Sequence, residues 1–335
     1  MTRLGAPRRP ARRPAVAAVL AATLAIGALA GCRAQPEPEP TPTATVAVAG
    51  EFGVRPTITI AGGRTVEATS SQVLLEGEGP AVVEGQPLLI DFVALDIATG
   101  ETVADTYPGL PEVRTMSADS LGAPLHDLLQ GVTVGSRVEL VEIGSAARPT
   151  PHVLVLDVLP LRATGAAREG EPGLPTLTLG PDGAPTPELP QDEPPPTGTR
   201  FAVTIKGDGP QVSSDQSVVL QLTSVRWSDG AVVDSTWGSA PRSLALSDLT
   251  PPLRGALLEQ TVGSQILVVA PSGEAGSNET LVTVLDVLAT ADVAVPTGTE
   301  ADPSEGTDLE PVPDPEQDLQ PPGDTRPTDP PPSGQ

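Results

Sequence analysis

The apolar positions of this chain come in short runs, and the runs recur. Pro87 to Leu95 and Ser217 to Val225 are rich in Val, Leu and Ile and read as strands. A glycine-bearing turn follows each, ATGE or SDGA. A second short strand then carries the phrases ATGETVADTYPG (98–109) and SDGAVVDSTWG (228–238), which place Tyr107 and Trp237 at the same point. A short apolar helix is expected at about Ala123 to Leu129 and Pro251 to Gln260, with Pro124 and Pro252 where a first-turn proline is tolerated. TVGS leads each copy into another strand, and VLVLDVL or LVTVLDVL closes it.

Alignment of the runs extends the match. LLEGEGPAVVEGQPLLIDF (74–92) meets TIKGDGPQVSSDQSVVLQL (204–222), with Gly77, Gly79, Pro80, Val82 and Gln86 opposite Gly207, Gly209, Pro210, Val212 and Gln216. APLHDLLQGVTVGSRVELV from Ala123 meets PPLRGALLEQTVGSQILVV from Pro251. Blocks in one order at nearly one offset are an internal duplication. Antiparallel strands with a short helix to cover one face predict an α+β architecture.

Composition sets the boundaries. Gln35 to Thr45, Gly165 to Gly198 and Pro296 to Gln335 are dominated by Pro, Gly, Glu, Asp and Thr, and bury too little apolar surface to offset ordering. The expected organisation is a leader (1–31), a Pro-rich stalk (32–50), a first domain (51–163), a disordered linker (164–199), a second domain (200–292) and an acidic Pro-rich disordered tail (293–335). The formal charge of −24 argues against a nucleic-acid partner, because phosphate contacts need clustered Lys or Arg.

The leader has its own chemistry. Arg3, Arg8, Arg9, Arg12 and Arg13 precede AVAAVLAATLAIGALAGC, a positive region, an apolar region and small residues before a cleavage point. Leu29-Ala30-Gly31-Cys32 resembles the lipobox of bacterial lipoproteins, and Cys32 is the one cysteine of the chain. That resemblance implies lipidation at Cys32, export, and anchoring at the outer face of the cytoplasmic membrane. The alternative is an uncleaved N-terminal anchor.

The repeated blocks resemble the FKBP-type peptidyl-prolyl cis-trans isomerases. In that family an antiparallel sheet wraps a short helix, with a DG…FDSS turn and strand, a VI.GW helix start and a closing L.F.V.L strand. The second copy is nearer those motifs, in SDGAVVDSTW, DLTPPLRGALLEQTVGSQ and TLVTVLDVL. The resemblance implies two FKBP-like domains, each with one helix, acting on X-Pro bonds of exported proteins. Rotation about that bond has a barrier of about 18–20 kcal/mol and is slow unaided. An apolar aromatic pocket catalyses it without nucleophile, metal or cofactor, so no cofactor is expected.

By the resemblance, the strand-end Tyr falls at Phe92 and Leu222, and the Phe of FDSS at Val103 and Val233. The next Asp falls at Ala104 and Asp234, and the VI pair at Leu121-Gly122 and Leu249-Thr250. The floor Trp falls at Leu125 and Leu253, the closing Phe at Leu154 and Thr283, and the flap Tyr near Ala275 in the second copy. Phe92 and Asp234 alone keep the family's clear residue types. Leu125, Leu253, Val103 and Val233 are expected to fill the former pockets, leaving activity weak and the second copy its better carrier. A non-catalytic peptide-binding or chaperone-like module is the competing reading. His126 and His152 lack partners at metal-ligand spacing. GEG and GDG lack the Lys-Ser/Thr of a phosphate loop and read as turns.

Overall fold

In a computed structural model, residues 43–144, 149–180, 183–190, 193–273 and 278–292 are described. The leader, Cys32, most of the expected stalk, Ala275 and the acidic tail lie outside them. The chain begins with a hairpin of β1 (Ala44–Ala49) and β2 (Thr57–Gly62). The first copy then runs β3 (Ser70–Leu75), β4 (Pro87–Asp96), β5 (Thr102–Asp105), β6 (Glu112–Thr115), α1 (Ala118–Leu121), α2 (Ala123–Leu129), β7 (Arg137–Glu142) and β8 (His152–Leu159). Between the copies lie β9 (Ala166–Ala167), β10 (Thr176–Leu179) and β11 (Pro185–Glu188). The second copy is β12 (Arg200–Lys206), β13 (Gln216–Arg226), β14 (Val232–Ser235), β15 (Arg242–Ala245), a 3-10 turn at Leu246–Asp248, α3 (Pro251–Leu257), β16 (Gln265–Pro271) and β17 (Thr280–Asp292).

The duplication holds at the level of topology. The first sheet is ordered β3-β7-β8-β4-β5 with β6 also on β4, and the second is ordered β12-β16-β17-β13-β14 with β15 also on β13. Equivalent residues keep equivalent partners: Ala94 pairs with Ala104, and Ser224 with Asp234. The alternating pattern of the long strands explains the layering, since successive side chains point to opposite faces. On one face Leu88, Ile90, Leu140 and Leu156 pack with Leu125 and Leu129 of α2. The second copy repeats this with Val218, Leu220, Ile266 and Leu285 against Ala256 and Leu257 of α3.

Three expectations are corrected. The stalk does not reach residue 50, because β1 alternates exposed and half-buried residues, and Val46 and Val48 pack with Val93 and Val153 on the outer face of the first sheet. The linker is not structureless, because β10 and β11 form a hairpin and Leu174, Leu177 and Leu189 pack with Val225, Val269 and Val282 on the outer face of the second sheet. Average composition hid both hairpins, since a few alternating apolar residues suffice when a sheet face awaits them. The first copy also has two short helices rather than one, and Gly122, at φ 79°, separates α1 from α2.

The hairpins belong to the repeat as well. Gly50 and Gly53 stand opposite Gly180 and Gly183 at the offset of the main blocks, and Pro56 and Thr57 stand opposite Pro185 and Thr186 with a slip of one. Each copy is thus a sheet with helix on one face and a leading hairpin on the other. The two copies meet through one apolar cluster, in which Leu89 of the first copy joins Val219, Leu288 and Ala289 of the second. Full burial of a side chain such as Leu89 contributes about 1.5–3 kcal/mol.

Candidate functional site

A cleft of about 390 Å³ opens on the helix side of the first copy. β4 supplies Ile90 and Phe92, β5 supplies Ala104, and β8 supplies Leu154 and Leu156. Leu121, Gly122, Pro124 and Leu125 close the opposite wall from the two short helices. The break at Gly122 turns the chain so that Leu121 and Leu125 both line the cleft. At the rim, Arg114 is paired with Glu112, its Nε donating to Oε2 at 2.8 Å. His152 Nε2 lies 2.9 Å from Glu142 Oε2, and both residues line the cleft.

Six of the first-copy residues singled out in the sequence therefore meet: Phe92, Ala104, Leu121, Gly122, Leu125 and Leu154. Val103 does not join them. It is 49% exposed, because its neighbour Ala104 takes the inward position on β5. Val233 likewise points to solvent at 45% exposure, so neither valine fills a pocket.

In the second copy, Leu222 is buried in the helix-side core, and Leu249 and Leu253 pack against it. Thr250 is exposed at the start of α3. Asp234 occupies the position of Ala104 but is claimed by Arg242, whose guanidinium donates both nitrogens to its carboxylate at 2.6 and 2.7 Å. That pairing holds the carboxyl below its usual range. Arg242 stands where the first copy has Glu112, so the ion pair is peculiar to the second copy. Around the second copy's motif positions the described residues thus show an apolar cluster and a paired carboxylate. The described cleft belongs to the first.

Tyr107 takes its place in a sheet layer. Tyr107 packs in the outer-face cluster with the β1–β2 hairpin and donates its hydroxyl to Asp157 Oδ2 at 3.0 Å. Burial and the Asp157 charge push the phenol well above its ordinary value. Trp237 is half-buried, and its Nε1 has no hydrogen-bond partner among the described residues.

The sequence reading missed a buried charged set beneath Tyr107. Arg137 donates to both oxygens of Asp157 at 2.6 and 2.7 Å, and to the carbonyls of Gly50 and Val54 at 3.1 and 2.7 Å. Gly53 N–H completes the acceptor shell of Asp157 at 2.8 Å. The pair therefore clamps the hairpin turn to the sheet. The signal was present in the strand patterns: a charge at an inward position of RVELVE and of VLVLDVL.

No protein-family model and no curated protein matches the chain. Solved structures do. FkpA from Escherichia coli is 25% identical over 29% of this chain and 49% of its own, at a TM-score of 0.26. The structure of the three FKBP domains of wheat FKBP73 is 16% identical over 67% of this chain and 95% of its own, at 0.25. The putative peptidyl prolyl cis-trans isomerase FKBP12 from Mycobacterium tuberculosis is 22% identical over 29% of this chain and 88% of its own, at 0.25. The match to FkpA spans about half the length of that protein. The solved structures to which the chain is similar thus include named FKBP domains and a putative peptidyl prolyl cis-trans isomerase.

Proposed function

We propose that the chain is an exported, lipid-anchored FKBP-like protein whose first copy receives proline-containing segments of exported proteins and turns their X-Pro bonds slowly. The observation that carries this is the cleft: an apolar slot between sheet and short helices, lined by Phe92, Leu121, Leu125 and Leu154. Such a slot desolvates an imide, and a desolvated imide rotates more easily because its ground state loses the solvation that favours the planar form. Phe92 is the one phenyl or indole ring among the lining residues, so the wall presents little of the shaped π surface that holds a twisted bond. The same observation favours a second role, in which the cleft holds an extended segment without turning it over.

The leader and the Leu29-Ala30-Gly31-Cys32 motif support export and lipidation at Cys32. Two or more acyl chains give stable anchoring where one does not. The test is NMR exchange spectroscopy on a Leu-Pro tetrapeptide with the lipid-free mature chain. Acceleration that disappears in Leu121→Arg, with the far-UV spectrum unchanged, supports isomerisation at this cleft. Exchange at the uncatalysed rate with a peptide that still binds leaves the holding role. A peptide that neither binds nor exchanges faster removes both.

A further inference from the structure

The larger of two cavities lined by both copies belongs to neither alone. It has a volume of about 660 Å³ and lies where the end of β8 meets the end of β17, away from the cleft. Its walls are largely apolar, with Phe52, Tyr107, Leu159, Val262 and Leu288 among them. Into this wall the first sheet places Asp91, 9% exposed. One of its oxygens accepts from the Thr106 hydroxyl. The other has no hydrogen bond among the described residues, yet it is not sealed off.

The fold does not ask for a charge here. Gln221 holds the same place in the second copy, also buried, and accepts from the Thr236 hydroxyl in the same way. Both threonines also take the following backbone N–H, Phe92 at 2.7 Å and Leu222 at 2.8 Å. An acceptor is what the turn requires, and an amide supplies it. The carboxylate brings a penalty instead, since burial and the neighbouring Asp157 and Asp105 push Asp91 up to about 6. The nearby arginines do not relieve it: Arg55 is bound to Asp105 at 2.6 Å, and Arg137 to Asp157. Arg162 also lines the cavity, and its charge acts on Asp286 of the second copy.

We propose that the cavity between the copies binds a small organic cation, an apolar body carrying an ammonium or amidinium head, with Asp91 as its counter-ion. A largely apolar chamber of drug-molecule size with a few placed polar groups is the general form of such a site; here Asp208, Arg55 and Arg162 also line it, and Asp91 is the buried carboxylate among them. Tyr107 and Phe52 add aromatic rings to the lining, a residue type whose faces attract cations. A charge-assisted hydrogen bond in this setting is worth more than a neutral one. The site stands independently of the cleft and of its function.

Benzylammonium, titrated into the full 15N-labelled chain near neutral pH, is the test, with benzyl alcohol as its neutral analogue. The amine is expected to shift Val262 and Leu288 and to bind about tenfold or more tightly than the alcohol. Asp91→Gln, which copies the second repeat, is expected to lose about the same factor while the chain stays folded. Equal binding of amine and alcohol, retention of amine affinity in Asp91→Gln, or no binding of the amine at millimolar concentration would each overturn the proposal.

Discussion

Asp91 and Gln221 occupy the same point of the two copies, each accepting from a threonine hydroxyl across the β-turn strand, and only one of them is charged. The pair isolates what a carboxylate costs at this position, because the surrounding hydrogen bonds are held constant. The native carboxyl titrates at about 6 against an ordinary value of 3.8. The folded state therefore binds the proton more tightly than the unfolded state. Stability falls as pH rises from about 4 to about 6 and stays lower above that. Asp91→Gln should gain on the order of 2–3 kcal/mol at neutral pH and nothing below about pH 4. Urea unfolding at the two pH values checks the sign as well as the size.

The Arg137–Asp157 pair behaves in the opposite way. Both groups are buried, and each satisfies the other together with the hairpin turn. Removing one partner leaves a buried charge uncompensated, so Arg137→Ala should cost about 3–5 kcal/mol. Because the guanidinium also holds the carbonyls of Gly50 and Val54, hydrogen exchange in β1 and β2 should rise before the rest of the sheet. Uniform loss of protection would mean that the hairpin is not a separable layer.

Asp234→Ala should do little. Its partner Arg242 is 48% exposed and Asp234 itself 41%, and exposed ion pairs are worth less than about 1 kcal/mol. Peptide exchange by the full chain should also be unchanged, which separates the first-copy cleft from the motif residue that the second copy retains.

Gly77 and Gly207 are close-approach glycines. A Cβ on Gly77 would lie 2.3 Å from the Val134 carbonyl oxygen, and one on Gly207 would lie 2.2 Å from that of Val262. Those oxygens belong to backbone that also receives Gly79 and Gly209, so they do not move aside cheaply. Gly77→Ala and Gly207→Ala should each lower stability by about 1–3 kcal/mol, read as a shift in the urea midpoint.

These glycines also show what the chain made legible. The repeated Val-Leu runs announced paired strands, whereas the GEG and GDG stretches, expected as turns, are bends whose glycines let two backbones approach closely. Ala123–Leu129 is the helix that the first-turn proline and apolar spacing predict. The leading hairpins were not legible, since Val46, Val48, Leu174 and Leu177 are too few to stand out from Pro and Thr until a sheet face is there to receive them. Phe92, Leu121 and Leu125, singled out through the family resemblance, line one cleft together. The outward placement of Val103 and Val233 was not legible, since the register shifts between Ala94 and Leu95, and between Ser224 and Val225, help decide which residue of a four-residue strand faces inward. Nor was the Asp234–Arg242 pairing visible, because it joins two strands through space.

The most direct measurement is a chemical-shift map of the 15N-labelled mature chain with a Leu-Pro tetrapeptide. The account predicts shifts at Phe92, Leu121, Leu125 and Leu154, little change at Leu222, Leu249 and Leu253, and loss of the response in Leu121→Arg. A response centred on the second copy, or none in the first-copy cleft at millimolar peptide, would contradict it.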